Sequence, residues 1–191
     1  MPKPRHSLVQ RKHLIERLNT GIKNKLTLIS APAGFGKTTF LSEWISQSKI
    51  PVAWISLDKG DRDPVILIKY IIAALQTIES NIGKATLSIM QSPQQPSIES
   101  IMINLIKEIT DISSNFVLVF DDYHSLDTEK THKIVRFFID NLPHRRHLVV
   151  STRVDPPPPL AKLRVRNQLT EFRASDLCFT FDETSLFFND I

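Results

Sequence analysis

The sequence predicts an α/β fold organised on a parallel sheet, with a phosphate-binding loop at its centre. Three observations carry this. Residues 25–40 read as a short apolar strand (Leu26, Leu28, Ile29), a small-residue loop holding Gly34 and Gly36, and a helix opened by Lys37-Thr38-Thr39. Strand, glycine loop, Lys-Thr and helix is the order that a phosphate-binding P-loop requires. Phe116 to Phe120 form an unbroken apolar run that ends in Asp121 and Asp122. Such a run reads as a strand buried on both faces of a parallel sheet. Between the strands lie stripes at helical spacing, the clearest being Ile98, Ile101, Met102, Leu105, Ile106 and Ile109.

The loop needs these residue types. In Ala33-Gly34-Phe35-Gly36 the glycines let backbone N–H groups turn inward around phosphate oxygens, and the helix that begins at Lys37 adds its positive end. Lys37 supplies a mobile charge for the β- and γ-phosphates, and the hydroxyl of Thr38 is a candidate Mg²⁺ ligand. The general pattern G-x-x-x-x-G-K-[ST] has alanine, Ala31, in its first glycine slot. Alanine tolerates positive φ less well than glycine, which weakens the generic motif. A glycine turn followed by a surface lysine is the plainer reading, but it leaves the flanking strand and helix unexplained.

An acid at the carboxyl end of a buried parallel strand lies at the sheet edge where ligands bind. Asp121 is therefore expected to hold Mg²⁺ together with Thr38, and Asp122 to orient or activate an attacking water if hydrolysis occurs. His124 reads as a structural or surface histidine with Tyr123 packed beside it. Arg146 to Thr152 is a further buried strand, and its end brings Thr152 and Arg153 to the same edge. There the planar cation of Arg153 suits a γ-phosphate.

The remaining elements follow in order. Residues 1–12 are a basic, proline-containing lead-in without the interleaved aromatics of a nucleic-acid arm. Leu14, Ile15 and Leu18 mark a short helix closed by Asn19-Thr20-Gly21. Phe40, Leu41, Trp44 and Ile45 line one face of the helix after the loop, and Pro51 to Leu57 form a second strand. Asp58, Asp61 and Asp63 lack EF-hand spacing; Asp63 reads instead as the N-cap of a helix over 65–78 with Pro64 at its first position. A polar loop spans 91–96, and a helix spans 128–141. Asp155 and Pro156 to Pro159 form a stiff connector, Arg164 and Arg166 follow it, and Leu169 to Arg173 make a last strand. Thr180-Phe181-Asp182-Glu183 is a capping box opening a helix with Leu186, Phe187 and Phe188, barely two turns before Ile191.

Composition sets bounds. The chain has 191 residues, 41% hydrophobic and 23% charged, which suits one globular domain. A net charge of +4 permits contact with a polyanion without demanding it, and the lone Cys178 excludes an internal disulfide and suits a reducing cytoplasm. No apolar stretch follows the basic Met1–Arg5 to make a signal peptide, and Val65–Leu75 is too short for a bilayer.

With these landmarks placed, the chain resembles the nucleotide-binding domain of the large MalT-like, LuxR-family transcriptional regulators, members of the STAND class of P-loop ATPases. The matching stretches are Pro4-Arg5 with Leu8-Val9-x-Arg11, Leu26 to Thr39, Val52 to Asp58, Val117 to His124, Ser151 to Arg153, Leu163-Arg164-x-Arg166 and Gln168 to Arg173. The alanine in the first glycine slot is itself typical of that family, whereas Asn167 stands where the family often has glycine. The resemblance implies a P-loop NTPase fold: a three-layer α/β/α sandwich with a mainly parallel five-stranded sheet, in which the Asp121 strand is not directly beside the P-loop strand. It implies that Val9 and Arg11 sit near the adenine of bound ATP or ADP. It also implies a switch: ADP holds a closed monomer, ATP and an inducer allow self-association, a C-terminal DNA-binding part contacts the promoter, and slow hydrolysis resets the state. The expected organisation is a lead-in over 1–23, the nucleotide-binding domain over 24–176, and the start of a helical segment over 177–191, with the DNA-binding part outside the sequence. Two readings compete: a P-loop kinase, for which Arg164 and Arg166 are the lid-like cations, or a mechanical ATPase; and an inactive fragment.

Overall fold

A computed structural model describes residues 9–93, 96–157 and 160–189, the last four of these by their backbone. The expected features at Pro4-Arg5, Leu8, Pro158-Pro159, Ile191 and the side chains of Leu186, Phe187 and Phe188 lie outside the described residues. Five strands form one sheet: β1 Leu26–Ser30, β2 Val52–Ser56, β3 Phe116–Asp121, β4 Arg146–Thr152 and β5 Leu169–Arg173. Their order is β2-β3-β4-β1-β5, and every pairing is parallel. β4 therefore separates the P-loop strand from the Asp121 strand, as the family resemblance implies.

Nine α-helices accompany the strands among the described residues: α1 Lys12–Gly21, α2 Lys37–Gln47, α3 Pro64–Gln76, α4 Lys84–Met90, α5 Ile98–Thr110, α6 Glu129–Asn141, α7 Leu160–Val165, α8 Ala174–Leu177 and α9 Phe181–Asn189. Successive strand residues point to opposite faces, so the sheet needs two covers. On one face Leu28, Ile55, Leu118 and Val150 pack with Leu67 and Ile71 of α3, Leu105 of α5 and Phe138 of α6. On the other, Ile29, Val119, Val149 and Phe172 pack with Leu14 and Leu18 of α1 and Phe40 and Trp44 of α2. Three layers result. No helix among the described residues is long and apolar enough to cross a membrane.

Local signals account for the element starts. Asp63 accepts a hydrogen bond of 2.7 Å from the Val65 N–H with Pro64 behind it, so the acidic loop ends in a helix cap. Ser97 and Thr128 cap α5 and α6 in the same way. Thr180 and Glu183 exchange the two bonds of a capping box, at 2.9 and 3.2 Å. Asn167 adopts φ 53°, so it takes the left-handed turn that glycine would take, a conformation asparagine tolerates.

Three helices differ from the sequence reading. α4 occupies a stretch with no clear apolar stripe. It is held from outside, because Glu108 of α5 accepts both the N–H and the hydroxyl of Thr86, at 2.9 and 2.5 Å. α7 and α8 are single short turns that dock Leu160, Leu163 and Leu177 into the core. Tertiary contact rather than local pattern makes them helical.

Candidate nucleotide-binding site

β1 is buried along its whole length and delivers the chain into the loop at the carboxyl edge of the sheet. Gly34 (φ 86°) and Gly36 (φ 71°) are left-handed, and a Cβ at either would meet nothing within 4 Å. Glycine is thus required for backbone conformation rather than for room. Ala31 is absent from the positive-φ residues, so alanine in the first glycine slot carries no strain. Gly36 starts α2, and no side chain caps that helix's first turn. Its first amides are left uncapped by side chains at the positive end of the helix, an arrangement suited to an anion.

Lys37 is buried, and its Nζ donates to the carbonyls of Ala31 at 2.8 Å and Pro32 at 2.9 Å. Burial lowers the pKa of the ammonium; Arg153 adds to that effect, while Asp122 and Asp121 oppose it. Thr38 Oγ1 donates to Asp121 Oδ2 at 2.9 Å, and the Asp122 N–H donates to the other Asp121 oxygen at 3.1 Å. A hydroxyl and a buried carboxylate in contact are hard oxygen donors, a set that fits Mg²⁺.

Asp122 lies just beyond β3 with φ 55° and ψ 38°. A non-glycine residue in this region is uncommon and strained, and such residues cluster at functional sites. His124 comes back toward it, with Nδ1 3.7 Å from Asp122 Oδ1. That nitrogen is buried and has no hydrogen-bond partner among the described residues. Burial first, then Arg153 and Lys37, lower the pKa of His124 against the pull of Asp122 and Asp121. His124 is therefore part of the charged cluster rather than a surface residue. Tyr123 packs elsewhere: its hydroxyl meets His132 Nδ1 of α6 at 2.9 Å. Arg153 is exposed just past β4, close enough for its charge to act on Lys37 and His124.

Beside the loop lies a cavity of about 370 Å³. Val9 and Arg11 form one wall, Gly34 to Gly36 and Thr39 a second, and Leu177 to Phe179 a third. Ala33 is exposed at the loop's tip and lies outside that lining. Arg11 is buried and fixes the third wall: it donates to the carbonyls of Leu177 and Cys178, each at 2.8 Å, and to that of Asp176 at 3.3 Å. It pairs with Glu183 at 3.3 Å and lies over the Phe179 ring at 5.3 Å. Glu43 also lines the cavity; burial raises its pKa, opposed by the Arg11 backbone amide and guanidinium, and its Oε1 has no partner among the described residues. Sequence reasoning missed Glu43, Cys178 and Phe179 here. A carboxylate three residues after Phe40 and one before Trp44, on the apolar side of α2, was the signal for Glu43; nothing local marked the other two.

Of the two lid-like cations, one has a carboxylate partner. Arg164 is paired with Glu171 of β5 through two contacts of 2.7 Å.

No family model matches the chain. It is 37% identical over 184 residues to the HTH-type transcriptional regulator MalT of Klebsiella pneumoniae, and 35% identical over 181 residues to that of Serratia proteamaculans. These alignments take in 96% and 95% of the chain but 20% of each regulator, so the chain spans about a fifth of the length of these relatives. Among solved structures, a STAND-class signal transduction ATPase with a tetratricopeptide repeat sensor from Pyrococcus horikoshii superposes with a TM-score of 0.63 at 17% identity, covering 97% of this chain and 25% of that one. Cdc6p of Pyrobaculum aerophilum gives 0.61 at 16% identity, over 97% and 50%. The α/β fold is that of P-loop ATPases, and the sequence similarity is to MalT-like regulators.

Proposed function

We propose that this chain is the ATP-dependent switch module of a MalT-like transcriptional regulator, binding ATP and ADP with Mg²⁺ and hydrolysing ATP slowly. One observation carries the reading most directly. The hydroxyl of Thr38 and the carboxylate of Asp121 meet at 2.9 Å beside Lys37, at the mouth of a glycine loop that opens on the Val9–Arg11 cavity. That arrangement has a place for each part of a nucleotide: phosphates on the loop, a cation between Thr38 and Asp121, and a base against Val9 and Arg11.

The residues divide the work. The amides of Ala33 to Thr39 cradle the phosphates, and Lys37 neutralises their charge. Thr38 and Asp121 would hold Mg²⁺, which when bound would supply positive charge to neutralise the phosphates. Asp122 accepts a proton from, or orients, the attacking water, and Arg153 contacts the γ-phosphate. Hydrolysis is slow and resets the switch. Self-association in the ATP state and contact with promoter DNA belong to the full-length regulator in the cytoplasm. The DNA contact lies in parts of it that this chain does not include.

Binding of fluorescent ATP and ADP to the purified chain, with and without Mg²⁺, tests the reading. Lys37→Ala should weaken binding by at least about tenfold, the loss of one charge-assisted hydrogen bond. A folded chain that binds neither nucleotide would overturn the proposal. A turnover above roughly 1 s⁻¹, within the range of ordinary enzymes, would favour the kinase or motor reading instead.

A further inference from the structure

The amino-terminal edge of the sheet, opposite the P-loop, holds another cavity, of about 250 Å³. Lys23 and Asn24 enter it ahead of β1, Asn115 ahead of β3, and Arg145 and Arg146 at the start of β4. No acidic side chain lines it.

Arg146 is the unusual member. It is 6% exposed and lies over the Phe116 ring at 5.1 Å. It donates to the carbonyls of Arg145 and Ile112, while its buried Nε has no hydrogen-bond partner among the described residues. By contrast, Arg11 pairs with Glu183, and Arg173 with Asp155 and Glu171, whereas Arg136 of α6, like Arg146, has a buried Nε without a partner among the described residues. Among the described residues no carboxylate pairs with Arg146, Arg145 or Lys23. Arg145 instead adds a second positive charge beside it. A buried charge without a counter-charge is costly, and anionic oxygens would relieve that cost. Arg145 is also held at φ 66°, a conformation rare for a residue of its kind.

We infer that this cavity is a second anion site, in which Lys23, Arg145 and Arg146 bind a small phosphate- or carboxylate-bearing molecule at the sheet edge remote from the nucleotide. Planar guanidinium groups match both kinds of oxyanion, and Lys23 is exposed and able to swing to either. The cavity is smaller than the one beside the P-loop, which points to a compact anion rather than a nucleotide. The inference stands independently of the proposed function.

The test titrates inorganic phosphate, and separately citrate, into the ¹⁵N-labelled chain at constant ionic strength, following backbone amides at both edges of the sheet. The expected result with one of the anions is a saturable shift at Asn24, Asn115 and Arg146, half-complete on the order of 1 mM, a free energy of about 4 kcal/mol. The Lys23→Gln/Arg145→Gln double variant changes only exposed side chains. It should weaken that response by about tenfold or more while leaving shifts at Gly34 to Thr38 unchanged. Which anion saturates identifies the chemistry. Linear, non-saturating shifts, shifts confined to the P-loop, or an unchanged response in the double variant would each overturn the inference.

Discussion

Thr38 Oγ1 and Asp121 Oδ2 are joined by a hydrogen bond of 2.9 Å that links the first turn of α2 to the end of β3, although β4 lies between their strands. The two residues are 83 apart in sequence, and the parallel sheet alone brings them to one edge. With both at the ends of rigid elements, the pair needs no rearrangement to face a cation.

Asp121→Asn keeps the shape of that contact and removes its charge. ATP affinity in the presence of Mg²⁺ should fall by about tenfold or more, with little change when the metal is chelated. Thr38→Ala should act in the same direction and Thr38→Ser should restore the wild-type value, since only the hydroxyl is required. Nucleotide titrations with and without chelator check this.

Asp122→Asn separates charge from conformation, because asparagine tolerates the left-handed backbone held at φ 55°. Nucleotide binding should remain within a few-fold of wild type. Phosphate release in a single turnover should slow by roughly 10²–10⁴-fold if the carboxylate serves the attacking water. Unchanged release would remove Asp122 from the chemistry.

His147 gives the chain a pH-dependent stability. The carbonyl of Asn24 can only accept, so the contact of 2.7 Å to Nδ1 places the proton there, and Nε2 accepts from the Thr27 hydroxyl at 2.9 Å. Burial pushes the pKa of this imidazole down to about 4 from 6.5, against the opposing hydrogen bond to Asn24. The unfolded chain therefore binds the proton more readily than the folded one. Stability from this group is complete above about pH 6.5 and is lost as pH falls toward 4, by roughly 3 kcal/mol in all. Denaturant melts of wild type and His147→Gln across that range should show a flatter slope for the variant, the difference isolating His147 from the carboxylates.

Gly83 and Gly34 are both left-handed but should respond differently to alanine. A Cβ on Gly83 would sit 2.3 Å from Ile72 Cγ2, whereas one on Gly34 meets nothing within 4 Å. Gly83→Ala should cost at least about 2 kcal/mol of stability, from overpacking added to strain. Gly34→Ala should cost about 1 kcal/mol from backbone strain, with its main effect on nucleotide affinity. Chemical denaturation separates the two.

The sequence made the strands legible because parallel strands buried on both faces leave unbroken apolar runs, as at Leu118 to Phe120. It made the loop legible because glycine there answers to a left-handed backbone at Gly34 and Gly36 rather than to packing. The concern over Ala31 dissolved only in three dimensions, where its φ proved ordinary. Helix α4 was invisible because its anchor, Glu108, lies 22 residues away from Thr86. The third wall of the cavity beside the loop was invisible for the same reason: Cys178 and Phe179 carry no local mark, and Arg11 reaches them across more than 160 residues.

That last span has a consequence for biosynthesis. The carbonyls that hold Arg11 belong to residues 176 to 178, and its carboxylate partner is Glu183. During translation the glycine loop is exposed from the ribosome long before these groups. A nascent chain halted short of Glu183 has its glycine loop but an open cavity beside it, so on the proposed nucleotide-switch reading it should grip triphosphate weakly and distinguish bases poorly. On that reading, completion of the site is a late event of synthesis, reached when the distant wall closes onto Arg11.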